Sequence, residues 1–413
     1  MVRIATVLLA VAFLIPTTAS ADWKPNLKFG KLELHPFAAL KWTYDDNIYL
    51  RSGDNSTPSL TQSRKVVGSG ITDATAGLAF KFPFSDMHQF MGGYKFQGLV
   101  YNENGESNDG VNQTVNAGYK YKGPMGISGK LSDTYMNTQD PASSELTDRE
   151  TRWQNTGSLS AEYGPKSGKL FAGVFGDFVT HKYVNQSMGA LLDRNEATFG
   201  VKTGYKVFPK TRVYAKYGRQ LIKYIVDQYV SGSTTYDAKN NKSHMFNFGV
   251  EGKIVQKLTG QVETGWSIRE YDGEDNGRTG LTRNWIVTSK LAYKPLKRCE
   301  FGLSYKRSLQ ESTYSNNRFY VGNSAALSLK HKFPYKLTGR ASVGMGIDKY
   351  PEGDETTGSR RDDIYTKSIG VDYDIQKWLG VSLDYTHREK NSTDTANFDY
   401  ENSITSLGVK AMF

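Results

Sequence analysis

Six histidines are the first residues to test for chemistry: His35, His88, His181, His244, His331 and His387. They are scattered along the chain with no pair at metal-ligand spacing, so they read as interfacial or loop residues. No GxSxG nucleophile motif and no phosphate-binding loop occurs; residues 164–169 fall one short of the latter. The run from Asp272 to Gly277 has the look of a calcium loop, but its twelfth position is Arg283 where a bidentate Glu is needed. Asp45-Asp46-Asn47 could hold a cation, although a turn is the default for such a cluster. No catalytic residue, metal or cofactor is expected, and the chain does not read as an enzyme.

The informative chemistry is basic charge at alternate positions. Lys and Arg total 52 against 42 Asp and Glu, a formal net charge of +10. The basic residues are dispersed, without the patch that nucleic acid would require. Alternation assigns Lys95, Lys120, Lys130, Lys202, Lys206, Lys216, Lys253, Arg269, Lys306, Lys330 and Arg340 to one face, as candidate contacts for anions or a polysaccharide. Lys81, Arg212, Lys290 and Lys410 join them. The acids on that face are Glu162, Asp177, Glu251, Glu263, Asp348, Asp372, Asp374 and Asp384. A tube lined with excess positive charge concentrates anions, whereas Lys–Asp/Glu pairs across strands would only hold the wall.

Period-two patterning is the signature of strands with one apolar and one polar face. Phe199, Val201, Tyr205 and Val207 alternate with Gly200, Lys202, Gly204 and Lys206. Phe246, Phe248 and Val250 alternate with Asn247, Gly249 and Glu251. Val262, Trp266 and Ile268 alternate with Gln261, Glu263, Ser267 and Arg269. Leu379, Val381, Leu383 and Tyr385 repeat the pattern, as do Leu407, Val409, Ala411 and Phe413. Leu221, Ile222, Ile225 and Val226 break it, as a bulge or a short helical piece would.

Connections alternate in length. Short turns fall near 83–86, 122–126, 164–168, 208–210, 256–257, 294–297, 334–336 and 376–377. Long polar loops fall at 45–70, 102–110, 138–149, 185–193, 228–242, 272–280, 312–318, 351–361 and 391–397. Nine hairpins give about 18 strands, an all-β, up-and-down antiparallel transmembrane barrel with both ends on the short-turn side. Aromatics cluster at strand ends as two interfacial girdles. Phe82, Tyr121, Tyr163, Tyr205, Tyr293, Tyr335, Trp378 and Phe413 lie near the short turns. Tyr44, Tyr101, Tyr135, Tyr183, Tyr271, Trp285, Tyr350 and Tyr400 lie near the long loops.

Composition agrees. Only 38% of residues are hydrophobic, yet 13% are aromatic, with 26 Tyr and 41 Gly among 413. That is too few apolar residues for a large helical core and too many aromatics for a disordered chain. One cysteine, Cys299, excludes a disulfide framework. Residues 1–21 have the basic start, apolar run and Ala19-Ser20-Ala21 site of a secretory signal peptide. A periplasmic segment at 22–33 and a barrel at 34–413, in the outer membrane of a Gram-negative bacterium, are expected to follow.

Leu34-His35-Pro36, followed by Tyr44-Asp45-Asp46-Asn47-Ile48-Tyr49-Leu50, resembles the opening of the beta-barrel porin 2 family. The resemblance implies an outer-membrane barrel associated with exopolysaccharide synthesis and export. By that implication the chain is a conduit for exopolysaccharide, working with periplasmic export and copolymerase proteins. Its own residues leave two alternatives open: a general anion-favouring porin, or a barrel plugged by its loops and acting as an adhesin or receptor. An 18-strand barrel is about 36 Å across the backbone, wide enough for an extended sugar chain or small solutes. Lipids of the outer membrane and an anionic polymer or small anions are the expected partners, and nucleic acid is not.

Overall fold

A computed structural model of the chain describes residues 27–52, 66–139, 150–165, 167–231, 234–272, 280–313, 317–351, 359–393 and 398–413. The expected leader at 1–21 and most of the calcium-like run lie outside the described residues. The expected short segment before the barrel includes a three-residue strand, Leu27–Phe29, which pairs with the start of the first wall strand.

Eighteen long strands form the wall: β1 (Leu32–Asp45), β2 (Ser69–Pro83), β3 (His88–Tyr101), β4 (Gly110–Lys122), β5 (Ile127–Thr138) and β6 (Arg152–Tyr163). They continue as β7 (Leu170–Tyr183), β8 (Arg194–Phe208), β9 (Thr211–Tyr224), β10 (Asn241–Val255), β11 (Leu258–Tyr271) and β12 (Leu281–Leu296). The last six are β13 (Cys299–Glu311), β14 (Phe319–Lys332), β15 (Leu337–Tyr350), β16 (Arg360–Asp374), β17 (Leu379–Ser392) and β18 (Tyr400–Met412). Each pairs antiparallel with the next, and β1 pairs with β18 from Phe37–Met412 to Asp45–Ile404, which closes the cylinder. Closure pairs the first strand with the last and leaves neither as a free edge, the condition for a sheet to stand in hydrocarbon.

The alternation sorts the faces. On β8, Phe199, Val201, Tyr205 and Val207 are exposed on the outer surface while Lys202 and Lys206 point the other way. Leu40 and Trp42 on β1, Leu131 on β5, Val343 on β15 and Leu407 on β18 are exposed outward in the same manner. At the short-turn end Tyr163, Tyr205, Tyr293, Trp378 and Phe413 are exposed, and Trp378 stacks on Phe413 at 5.4 Å.

The girdle expected at the long-loop end divides. Tyr44, Tyr135 and Trp285 are exposed outward, but Tyr101, Tyr183, Tyr271 and Tyr350 are buried, and Tyr400 has the inward parity of its strand. Position near a strand end does not set the face; odd or even register does, and these five fall on the inner register. They help to pack the extracellular mouth.

Irregular pieces sit at that mouth. The loop after β3 holds a single helical turn, Gly105–Asn108, and the loop after β7 holds a helix, Gln186–Leu192, capped by the Asn185 side chain. Strands Gln228–Ser231 and Thr234–Asp237 form a hairpin of their own. The irregular stretch at Leu221–Val226 is neither a bulge nor a helix: β9 runs on to Tyr224, and Ile222 and Tyr224 pack on Ala238 under that hairpin.

Candidate functional site: the lumen wall

The inner surface of β6–β11 carries a charge and ring assembly. Gly200 and Gly204 on β8 lie under the rings of Phe175 and Phe171 from β7; a Cβ at either glycine would meet the ring 2.6 Å away and, nearer still, the backbone carbonyl of Tyr217 or Val213 on β9. Gly249 on β10 does the same for Tyr214 of β9. The absent side chains let inward aromatics lie flat on the wall. Cations cover the rings: Lys202 Nζ is 3.9 Å from the Tyr214 centroid, and Arg212 and Lys216 stand 4.3 Å and 4.7 Å from those of Phe171 and Phe175.

Carboxylates complete the layer. Lys202 Nζ donates to Glu251 at 2.8 Å, Arg212 bonds both Glu162 and Glu251, and Lys216 Nζ lies 3.5 Å from Glu263. Tyr214 Oη donates to Glu263 at 2.8 Å and accepts from Gln261 Nε2 at 2.6 Å. On the opposite arc Arg340 bridges Asp372 (2.7 Å) and Asp384 (2.8 Å). Part of the expected basic excess is thus neutralised inside the wall.

The remaining candidates are placed as follows. Lys95, Lys120, Lys130, Lys306 and Lys330 have the inward register, and none has a carboxylate at ion-pair distance among the described residues. Lys120 and Lys130 are direct cross-strand partners, two like charges face to face. Lys206 Nζ is held by the Pro165 and Gly164 carbonyls at 2.6 Å and 3.3 Å, at the short-turn end. Lys253 lies exposed at that rim opposite Thr259, next to the turn after β10, and not at mid-wall. Arg269 is buried in the extracellular mouth.

That mouth holds the groups the sequence did not single out. Backbone pairing between β12 and β13 stops at Val287–Arg307, although β12 extends on to Leu281 and β13 to Glu311. Above that point the β13–β14 hairpin leans into the barrel. Glu311 meets Arg269 of β11 at 2.5 Å and accepts from Tyr224 Oη at 3.2 Å, Lys239 Nζ donates to the Ser312 carbonyl at 3.0 Å, and Phe319 stacks on Tyr271 at 6.1 Å. Arg269, Tyr271 and Tyr224 all belong to the inner register, so the hairpin at Glu311, Ser312 and Phe319 lies inside the cylinder. The face that presents Phe301 and Leu303 to lipid below carries Leu309 and Glu311 against the inner wall above. Across the mouth, Lys390 and Asp362 form a second buried pair at 2.9 Å, with Arg360 3.9 Å from the Tyr350 ring.

The start of the first long loop, at Ile48, also turns inward. Ile48 packs on Ile71, Leu99 and Tyr101. Asp45, Asp46 and Asn47 bond to protein groups: Asp45 Oδ1 accepts from the Asn47 amide at 2.9 Å and from Asn402 Nδ2 at 2.6 Å, and Asp46 Oδ1 accepts from the Ser403 amide at 2.7 Å. The acidic cluster is therefore a clasp that ties the end of β1 to β18.

Comparison with known proteins follows from this geometry. Among solved structures the chain is similar to the outer membrane protein opdK from Pseudomonas aeruginosa (12% identity, 92% of this chain and 98% of that one, TM-score 0.48). It is also similar to a mutant form of the ferric enterobactin receptor PfeA from Pseudomonas aeruginosa (8%, 92% and 80%, TM-score 0.48). A third is OmpT, an outer membrane protein of Vibrio cholerae (12%, 94% and 99%, TM-score 0.37). At these identities the likeness concerns the barrel fold. No curated protein matches the sequence. The family model described as "Putative beta-barrel porin 2" matches residues 168–413, more than half of the chain, from β7 to the C-terminal Phe. The stretch Leu34–Leu50 that first suggested the family lies ahead of that match. The chain belongs to the beta-barrel porin 2 family of outer-membrane barrels.

Proposed function

We propose that this barrel is a passive outer-membrane conduit through which an exopolysaccharide leaves the cell, fed by periplasmic export and copolymerase proteins. The observation that carries the reading is the inner wall of β13–β16. There a groove of about 490 Å³ is lined mostly by neutral groups, among them Ser308, Ser324, Ser342, Gly344 and Thr366, with Lys306 and Asp348 as its charged members. The hydroxyls give a polyhydroxylated chain several weak hydrogen bonds, as a sliding polymer needs. The paired charges of β6–β11 support the same reading, because a compensated wall does not trap a charged or neutral sugar. No reacting side chain is required.

The test is deletion of the gene, with surface and intracellular polymer both quantified. Less polymer outside with synthesis intact supports the proposal. The blocking variant is Gly344→Trp: its Cβ would have only ordinary contacts, the nearest at 3.7 Å, so the ring should enter the groove without breaking the sheet. It should lower export while the barrel still assembles.

A second reading is favoured by Lys95, Lys120 and Lys130, whose uncompensated charge lies on adjoining strands β3–β5. They suit an anion-favouring porin. Normal surface polymer in the deletion strain, with slower uptake of small anions, would select that reading.

A further inference from the structure

Lys367 occupies the wrong face for a barrel lysine. It lies midway along β16, on the outward register with Ile369, Val371 and Tyr373, and is exposed. Its cross-strand partners are Val343 and His387. No carboxylate of the described residues stands at ion-pair distance from its ammonium. An outward lysine costs about 2–4 kcal/mol at the bilayer midplane, and the cost falls where the head can reach an interface or an anion.

Two neighbouring features define what that anion belongs to. Below Lys367 the outer wall is indented: a groove of about 490 Å³ runs past Ile369, Val343, Leu327 and Phe301, floored by Ala341 and bounded by Tyr385. It is lined almost wholly by carbon and is open to the bilayer. Beside and above Lys367 the outward faces turn polar, from Leu383 to His387 on β17 and from Leu407 to Ser403 on β18. His387 Nδ1 is 3.1 Å from Ser403 Oγ, and Glu401 follows. An apolar slot, a cation at its extracellular end and a ledge of hydroxyl, imidazole and carboxylate groups beyond that match an acyl chain, a phosphate and a sugar.

We propose that Lys367 and this groove form a binding site for a phosphorylated glycolipid of the outer leaflet. An acyl chain would fill the slot, the phosphate would meet the Lys367 ammonium, and the sugar would rest on the ledge of β17 and β18. The site is on the outer wall and does not depend on what the lumen conducts.

The experiment is native mass spectrometry of the purified barrel titrated with bisphosphorylated lipid A and, separately, with phosphatidylglycerol. Wild type and Lys367→Arg should retain lipid A. Lys367→Met should retain it about tenfold less well, the value of one charge-assisted contact. Ala341→Trp, which fills the slot and leaves the lysine, should also weaken retention. Gel migration before and after boiling checks that each variant is a closed barrel. Equal retention by Lys367→Met and wild type, or preference for phosphatidylglycerol over lipid A, overturns the assignment.

Discussion

Lys202 and Glu251 stand on strands that do not pair with each other, yet the ammonium of one lies 2.8 Å from the carboxylate of the other, across the whole width of β9. Such a chord is short only on the concave side of a curved sheet. The pair therefore ties three strands together and shares Glu251 with Arg212. Glu251→Gln leaves two cations facing one fewer acid. A loss of about 1–3 kcal/mol is expected for a partly hydrated charged hydrogen bond, read as a lower denaturant midpoint for loss of the folded gel band. An unchanged midpoint would mean that water screens the pair.

Ion selectivity should follow Lys95, Lys120 and Lys130 instead. Changing all three to Gln removes three uncompensated positive charges from the lumen. Reversal potentials in a planar bilayer under a salt gradient should shift towards cation preference, and the shift should shrink as salt reduces the screening length below about 10 Å. Lys202→Glu should shift selectivity less and cost more stability, since it sets a new carboxylate against Glu251. If the triple Gln variant conducts as wild type does, these lysines lie off the permeation path.

Lys130→Glu makes an opposite-charge partner for Lys120, directly across the β4–β5 ladder. A gain of about 0.2–1 kcal/mol is expected from converting a like-charge into an opposite-charge cross-strand pair. A higher midpoint of heat-induced gel shift would show it, and a lower one would place the two side chains apart.

Arg269 and Glu311 are nearly sealed from solvent, with 4% and 8% of their side chains exposed. Removing one partner of such a pair typically costs about 3–5 kcal/mol. In Arg269→Met that cost falls on the inward hairpin more than on the barrel, whose ladders below Val287–Arg307 are complete. Faster proteolysis between β13 and β14 and a higher single-channel conductance are expected, with the gel-resistant barrel retained. Wild-type conductance would show that the hairpin does not narrow the pore.

Gly249→Val drives a side chain into the Tyr214 ring, the group that fills the space above that glycine. A penalty of about 1–3 kcal/mol is expected for overpacking. Adding Tyr214→Ser should recover much of it, because the obstacle is one side chain and not backbone. Failure of the second change to help would put the strain elsewhere in β10.

The wall was legible because its rule is local. Lys202 between Val201 and Thr203, or Leu407 between Ser406 and Gly408, declares its face through its neighbours, and the long and short connections fix the strand number and which end is outside. The mouth was not legible from proximity to strand ends. Tyr101 and Tyr135 look equivalent by that measure, and only register shows that one packs inside and the other faces lipid. Nothing local in 308–319 announces that the hairpin leaves the wall, since its outer-face residues Leu309 and Val321 are as apolar as those that do meet lipid. Ion pairs such as Lys202–Glu251 escaped a count of lumen charges because they join residues 49 positions apart. The glycines did carry a usable signal: Gly200, Gly204 and Gly249 fall on the inward register beside strands with inward Phe or Tyr.

The parting of β12 from β13 above Val287–Arg307 divides the molecule mechanically. The lower barrel is a hoop, continuous in backbone hydrogen bonds all the way round, and it resists widening as a hoop does. The extracellular rim is a split collar. Its two lips are joined by side chains, with Arg307 donating from one lip to the Trp285 carbonyl of the other at 3.0 Å and Arg269 fastening Glu311, at the folded-in end of β13, to the wall behind. The diameter of the base is thus fixed by the peptide chain itself, whereas the diameter of the mouth is set by a few clips that can be undone without unravelling the tube.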